Sequence, residues 1–292
     1  MVVTPVFGVP HAYDYTPELF STLPPHRSVL ICIHGWLLSR TYWLPLMQQL
    51  TPEIACLAYD LRGFGDSNQQ LSSRCAVAKT AAYDLIAYAH DLNALLDQLE
   101  LDHVWLMGHS LGGSIALWTA YLFPDRIKGV ICVNAGGGIY IHNAFEKFRN
   151  AGEQMLGWRP QWLQHLPLLP WVFAKIMVQQ TLSYRWGQQR LVDFLRADPD
   201  AAAQSLLAST TEEAVHQLPQ IVAQLSQPVY FVTGEQDTVM EPRYVQHLAS
   251  FHHFFRQGKQ AVATFENCGH FAMLEQPTVL EKQIRQWLLA NG

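Results

Sequence analysis

Short apolar runs rich in Val and Ile alternate along this chain with longer amphipathic segments. The first run is Val29-Leu30-Ile31-Cys32-Ile33, and similar runs occupy 54–59, 104–107, 130–133, 229–233 and 261–265. Apolar on both faces, they fit strands buried in a parallel sheet that helices cover. Between them, 84–99 sets Leu85, Tyr88, Leu92, Leu95, Leu96 and Leu99 at helical spacing. The segment 111–121 is helical in composition, and Pro124 follows as a stop signal. A third helix, 277–289, opens with Pro277 in its first turn and keeps Leu280, Ile284, Trp287 and Leu288 on one face. Strands and helices in alternation imply right-handed crossovers and an α/β fold with a doubly wound, mostly parallel sheet.

The alternation breaks at 139–225. That stretch has no convincing strand, is dense in aromatics such as Trp158, Trp162, Trp171 and Trp186, and holds Pro160, Pro167, Pro170 and Pro199. It reads as a helical cap inserted into a sheet domain made of 1–138 and 226–292. The aromatics suit either an apolar pocket or plain packing of the cap on the sheet.

Composition narrows the partners. Among 292 residues, 49% are apolar and 15% charged, enough for a large core. The net charge is −5 and the basic residues are scattered, so no nucleic-acid stripe is expected. The start of the chain has no basic region leading into an apolar run, and the longest apolar runs are strand-sized. The five cysteines, Cys32, Cys56, Cys75, Cys132 and Cys268, form no C-x-x-C pair. They read as reduced thiols in a cytoplasmic protein with a small-molecule substrate and no integral membrane segment.

Candidate chemistry concentrates where strands end. Gly108-His109-Ser110-Leu111-Gly112 is G-x-S-x-G between a predicted strand and a predicted helix, the setting for a nucleophile lifted on a tight turn. A serine hydroxyl needs an oriented base, and His270 follows the run 261–265 on a predicted loop. His247, His252 and His253 fall in a predicted helix and suit a solvated surface. The acid is expected after 229–233, where Asp237 is the candidate and Glu235 its competitor; 130–133 ends in Asn134-Ala135-Gly136 with no acid. Asp60 also ends a strand but precedes Ser110, against the order nucleophile, acid, base. Oxyanion donors are sought in the backbone N–H groups of Leu111 and of Trp36, which follows His34-Gly35. His34 suits a group that holds this loop. No His pair has metal-ligand spacing with a carboxylate, so the site requires neither a metal nor a cofactor.

The segments His34-Gly35-Trp36, Asp60-Leu61-Arg62-Gly63-Phe64-Gly65-Asp66-Ser67, Gly108 to Gly113, Gly234 to Asp237 and Cys268-Gly269-His270-Phe271 together resemble the α/β-hydrolase superfamily, in its order. The resemblance implies a Ser110–His270–Asp237 triad and a structural role for Arg62 and Asp66 near the site. Ser at the elbow speaks against dehalogenases and epoxide hydrolases of that family, which carry Asp there. A menaquinone-pathway synthase would carry Arg shortly after the elbow glycines, where this chain has Ser114-Ile115-Ala116. The expected activity is acyl transfer on an ester or related bond. The alternatives are a carbon–carbon bond hydrolase, a cofactor-free haloperoxidase-like enzyme and a non-catalytic binding homologue.

Overall fold

The computed structural model describes residues 1–17, 29–68, 83–136 and 142–291. Its strands are β1 (Val2–Val6), β2 (Val9–Tyr15), β3 (Val29–Ile33), β4 (Ala55–Tyr59), β5 (Val104–His109), β6 (Ile127–Val133), β7 (Val229–Gly234) and β8 (Val262–Phe265). They form one eight-stranded sheet in the order β1-β2-β4-β3-β5-β6-β7-β8. From β4 to β8 every neighbouring pair is parallel. The β1–β2 hairpin is antiparallel and joins β4 at one edge. This hairpin was not expected from the sequence; Phe7 and Gly8 turn it with positive φ values of 49° and 78°.

The helices are α1 (Leu44–Leu50), α2 (Leu85–Gln98), α3 (Leu111–Leu122), α4 (His142–Gly157), α5 (Leu169–Phe173), α6 (Tyr184–Arg196), α7 (Pro199–Ser209), α8 (Glu212–Gln224), α9 (Pro242–Ser250), α10 (His253–Arg256), α11 (Ala272–Glu275) and α12 (Pro277–Leu289). Local chemistry sets several starts: the side chains of Asp84, Asp198 and Thr211 accept the N–H groups of Ala87, Ala201 and Ala214. Alternate residues of the central strands feed two apolar layers. On one face Ile31, Leu57, Leu106 and Phe231 pack with α2, α3, α8 and α9. On the other, Leu30, Cys56, Trp105 and Tyr230 pack with α1 and α12. Tyr230 stacks on Trp287 of α12 at 4.6 Å between ring centroids. The strand-free segment contains α4 to α8, and α8 sends Leu218, Ile221 and Val222 into the layer beneath α3.

Connections diverge between the neighbours β3 and β5: the chain leaves β3 toward β4 on one side, then returns to β5 on the other. A crevice opens at such a switch point, outside the carboxyl ends of the strands. His34-Gly35-Trp36 follows β3 there, and Ser110 follows β5.

The loop after β4 is pinned by ions. Asp60, fully buried, accepts the backbone N–H of Arg40 at 2.6 Å and that of Asp66 at 2.8 Å, and pairs with the Arg40 guanidinium. Arg40 also reaches Asp14 of β2 at 2.7 Å and Asp66 at 3.0 Å. Arg62 pairs with the buried Asp91 of α2 at 2.9 Å, so Arg62 and Asp66 both bind structural partners. Removing one member of a buried pair strands the other's charge. Arg40→Met is therefore expected to lower unfolding free energy by about 3 to 5 kcal/mol. Adding Asp60→Asn should recover part of that loss, measured by urea denaturation. A single variant within 1 kcal/mol of wild type would mean that the pair is not the tie described.

Candidate active site

The turn after β5 is crowded. A Cβ on Gly108 would lie 2.1 Å from the Gly112 carbonyl oxygen, and one on Gly112 would lie 2.4 Å from that of Ile33. Only glycine permits this approach of α3 to β5 and β3. Ser110 takes up the turn with φ +52° and ψ −117°, a strained conformation for a side-chain-bearing residue. Its N–H is fixed on Val133 O at 3.0 Å. Ser110 thus stands at the first turn of α3 and borders a cavity of about 200 Å³. His270, Leu111 and Trp36 border the same cavity, whose wall is otherwise mostly apolar.

His270 sits between β8 and α11. Its Nδ1 lies 2.8 Å from Asp237 Oδ2, both residues buried. Asp237 follows β7, and its carboxylate is filled: Oδ1 accepts the N–H groups of Val239 and Met240 at 2.9 Å, and Oδ2 also accepts Asn134 Nδ2 at 2.9 Å. Burial pushes the Asp237 carboxyl up, but the His270 ring and these donors outweigh it and hold the pKa below the usual carboxylate value. Glu235 is exposed and accepts Gln236 Nε2 at 2.7 Å, away from His270. The acid that meets the histidine is Asp237.

Three supporting residues were not read from the sequence. Asn134, at φ +48° after β6, donates to Asp237 and to Gly269 O at 3.0 Å. Its amide occupies the strand end where an acid was sought and missed. Glu275, buried in α11, accepts Gly269 N and Phe271 N on either side of His270, and Gln179 N and Gln180 N from the helical insertion. Arg190 of α6 borders the cavity with its charge buried; its Nη1 donates to Phe173 O and to Ile176 O, and the guanidinium lies 4.2 Å from the Phe271 ring centre. Burial lowers its pKa to about 10. Only spacing in three dimensions joins these residues to the site, although a Glu five residues after a loop His, at the start of a helix, is a weak capping signal.

Other histidines are spent on architecture. His34 accepts Leu61 N–H at Nε2 (2.9 Å), so its proton resides on Nδ1 and is donated to Gly35 O at 2.8 Å. It holds the loop that carries Trp36. His109 Nε2 lies 2.7 Å from His270 O, a carbonyl that can only accept, so that nitrogen carries the proton. His252 departs from the solvated role expected of it: it is fully buried, caps α10 by accepting Phe254 N–H, and reaches Gln227 O at 3.1 Å. Packing of Phe254 beneath the sheet draws it inward.

Burial lowers the pKa of His34 to about 4 and that of His109 to about 3. The unfolded chain takes up these protons near pH 6.5, whereas the folded chain resists until well below. The stability they contribute is present above about pH 6.5 and is lost as pH falls toward 4. Each should contribute a slope of roughly 1.4 kcal/mol per pH unit in that window. Unfolding free energies measured in urea from pH 7 to pH 4.5 should fall steeply, and a flat profile would contradict the neutral assignment.

Residues 28–277 match the family model for the alpha/beta hydrolase fold. An uncharacterised protein of Mycobacterium tuberculosis is 30% identical over 260 residues, covering 85% of this chain and 71% of that protein. A putative carbamate hydrolase, RutD, of Stutzerimonas stutzeri is 29% identical over 127 residues, 44% of this chain and 45% of its own. Among solved structures, a thermophilic esterase from Thermogutta terrifontis superimposes with a TM-score of 0.74 over 99% of this chain and 98% of its own, at 22% identity. That likeness carries the fold. With the strand order, the strained turn at Ser110 and the family match over most of its length, the chain belongs to the α/β-hydrolase family.

Proposed function

We propose that this protein is a serine hydrolase that cleaves an ester or related acyl bond of a small, apolar substrate through an acyl-enzyme. The observation that carries this reading is the shared cavity: Ser110, strained at φ +52°, and His270, tied to Asp237 at 2.8 Å, border one largely apolar space. The names of an esterase and a putative carbamate hydrolase among similar proteins agree with acyl chemistry.

In this mechanism the His270 imidazole takes the Ser110 proton as Oγ attacks the substrate carbonyl. Asp237 keeps the remaining proton on Nδ1 and stabilises the imidazolium. The developing oxyanion meets the N–H groups of Leu111 and Trp36, each donor contributing about 3 kcal/mol where such contacts have been removed in other enzymes. Collapse breaks the acyl bond, and the leaving group departs with the proton from His270. Water, deprotonated by the same histidine, then attacks the acyl-enzyme and releases the acid and Ser110. Helices α4 to α7 act as a cap: Met155, Phe173, Phe194 and Leu206 close the cavity from above the sheet. Arg190 is the one Lys, Arg, Asp or Glu side chain among the described residues of that wall, so a carbonyl or carboxylate on the distal end of an otherwise apolar substrate is favoured there. The four described cysteines are buried free thiols, which supports a cytoplasmic location; Cys75 lies outside the described residues.

The cavity is small beside the roughly 300 to 1,000 Å³ of drug-sized sites, so short acyl chains should be preferred. With p-nitrophenyl esters of increasing length, kcat/KM is expected to peak at short chains. Ser110→Ala should lower kcat by at least about 10³-fold without a change in fold. Absence of turnover and of covalent labelling by a fluorophosphonate in the wild type would sink the acyl-enzyme reading and favour a carbon–carbon bond hydrolase or a binding homologue. Arg190→Met should raise KM more for esters with a distal carboxylate than for neutral ones; an equal rise for both would remove the role given to the guanidinium.

A further inference from the structure

The helical insertion leaves much apolar surface in water. Of 21 large apolar side chains exposed among the described residues, ten lie within 155–184. Trp158 is 64% exposed, Trp162 53% and Leu168 74%. Scattered exposed apolar side chains need no explanation, but a concentrated group of this kind marks a contact surface.

This surface is built, not frayed. Trp158 and Trp162 pack edge to face with centroids 5.8 Å apart, and Trp171 meets Tyr184 at 5.4 Å. Arg159, between the two tryptophans, donates to Phe194 O at 3.0 Å and Ala197 O at 3.2 Å, carbonyls at the end of α6. Gln161 donates to Leu195 O at 2.9 Å. Leu163 and Leu169 turn inward onto the core. The opposite side chains are thereby held outward.

The surface is also continuous with the cavity. Met155, Ile176 and Met177 are exposed and at the same time line the space shared by Ser110 and His270. Its charge is opposite to that of the whole chain. Residues 154–192 contain no Asp or Glu and bring Lys175, Arg185 and the half-buried Arg159 to this face, in a protein of net charge −5, while Arg190 is buried in the cavity wall. Lys175 and Arg185 are exposed.

We propose that this face of the insertion docks on a lipid surface bearing anionic head groups, which brings the mouth of the cavity to apolar substrate dissolved in the lipid. Tryptophan side chains settle at the boundary between head groups and acyl chains, and exposed cations draw such a face toward an anionic surface. A protein partner of matching shape is the competing occupant of such a patch. The absence of every acidic side chain over 154–192 favours the negatively charged lipid surface. No helix among the described residues is long and apolar enough to cross a membrane, so the contact is peripheral. Docking itself does not depend on the hydrolase reading; only the delivery of substrate rests on it.

The test is flotation of the full chain with phosphatidylcholine vesicles, with and without phosphatidylglycerol. It is compared with Trp158→Ser/Trp162→Ser/Leu168→Ser, three positions outside the cavity wall. Wild type should float with vesicles containing phosphatidylglycerol, less so at high salt, and its tryptophan emission should shift to the blue. The triple variant should partition at least about tenfold more weakly. Its turnover of a water-soluble p-nitrophenyl ester, or its fluorophosphonate labelling, should match wild type and report that it is folded. A wild type that stays with the unbound fraction would overturn the proposal, as would a triple variant that floats equally well. A concentration-dependent dimer that the triple substitution abolishes, without vesicle binding, would assign the face to a second copy of the chain instead. Loss of esterase turnover in every form, with flotation intact, would count against the proposed reaction and leave docking standing.

Discussion

The active end of this sheet depends on one close approach. The first turn of α3 comes so near to β5 and β3 that a single methyl group on Gly108 or Gly112 would meet backbone atoms at 2.1 and 2.4 Å. Little in that contact can yield, because the atoms met are backbone of α3, of β3 and of His34 just beyond it. The consequence is forced on the residue in between. Ser110 must reverse the chain within one position, which takes its backbone to φ +52° and lifts its hydroxyl clear of the sheet. The strain is offset by the layers on either side, where α2, α3 and α8 cover one face and α1 and α12 the other.

How much of this was legible in the sequence follows from where each interaction lies. Strands buried on both faces announce themselves as unbroken apolar runs, and β3 to β8 lie where such runs occur. The β1–β2 hairpin lacks that signal. It sits at the sheet edge, with Val2 and Val3 exposed, and its Phe7-Gly8 turn is not among the commonest pairs. Ser110, Asp237 and His270 were singled out because each comes soon after a strand, Ser110 directly after β5, Asp237 after β7 and His270 after β8, so local order already determines on which edge it emerges. Asn134 was visible only as a missing acid; that its amide spans Asp237 and Gly269 requires β6 to lie beside β7. His252 misled for a related reason: a helix-like stretch with two adjacent histidines looks solvated until Phe254 is seen to anchor in the lower layer.

The loop carrying His270 shows how the insertion and the sheet share one site. The main chain of His270 is held from two directions: its N–H donates to Met177 O at 2.8 Å, and its carbonyl accepts from His109, beside Ser110, at 2.7 Å. Glu275 then gathers Gly269 N and Phe271 N together with Gln179 N and Gln180 N. A carboxylate that accepts N–H groups from both segments makes them one unit, since turning either away strands a buried charge. Gly269 tightens the joint further: a Cβ there would lie 2.8 Å from the Val178 Cα.

That joint also divides the cavity wall by how it is anchored. Residues 176–180 cannot swing outward without dragging the backbone of His270 and lengthening the 2.8 Å contact to Asp237. The opposite wall, built by Met155 of α4 and by Leu206, Ser209 and Thr210 at the end of α7, has no such tie to His270 among its described hydrogen bonds. α4 and α7 meet where a Cβ on Gly152 would press on Leu206 and through Arg149 Nη2 on Leu207 O at 3.5 Å, while α7 is tied to the loop after β3 by Trp36 Nε1 on Ala202 O at 2.8 Å. The two halves of the insertion are thus anchored to different loops of the sheet, residues 176–180 to the loop of His270 and α7 to the loop of Trp36.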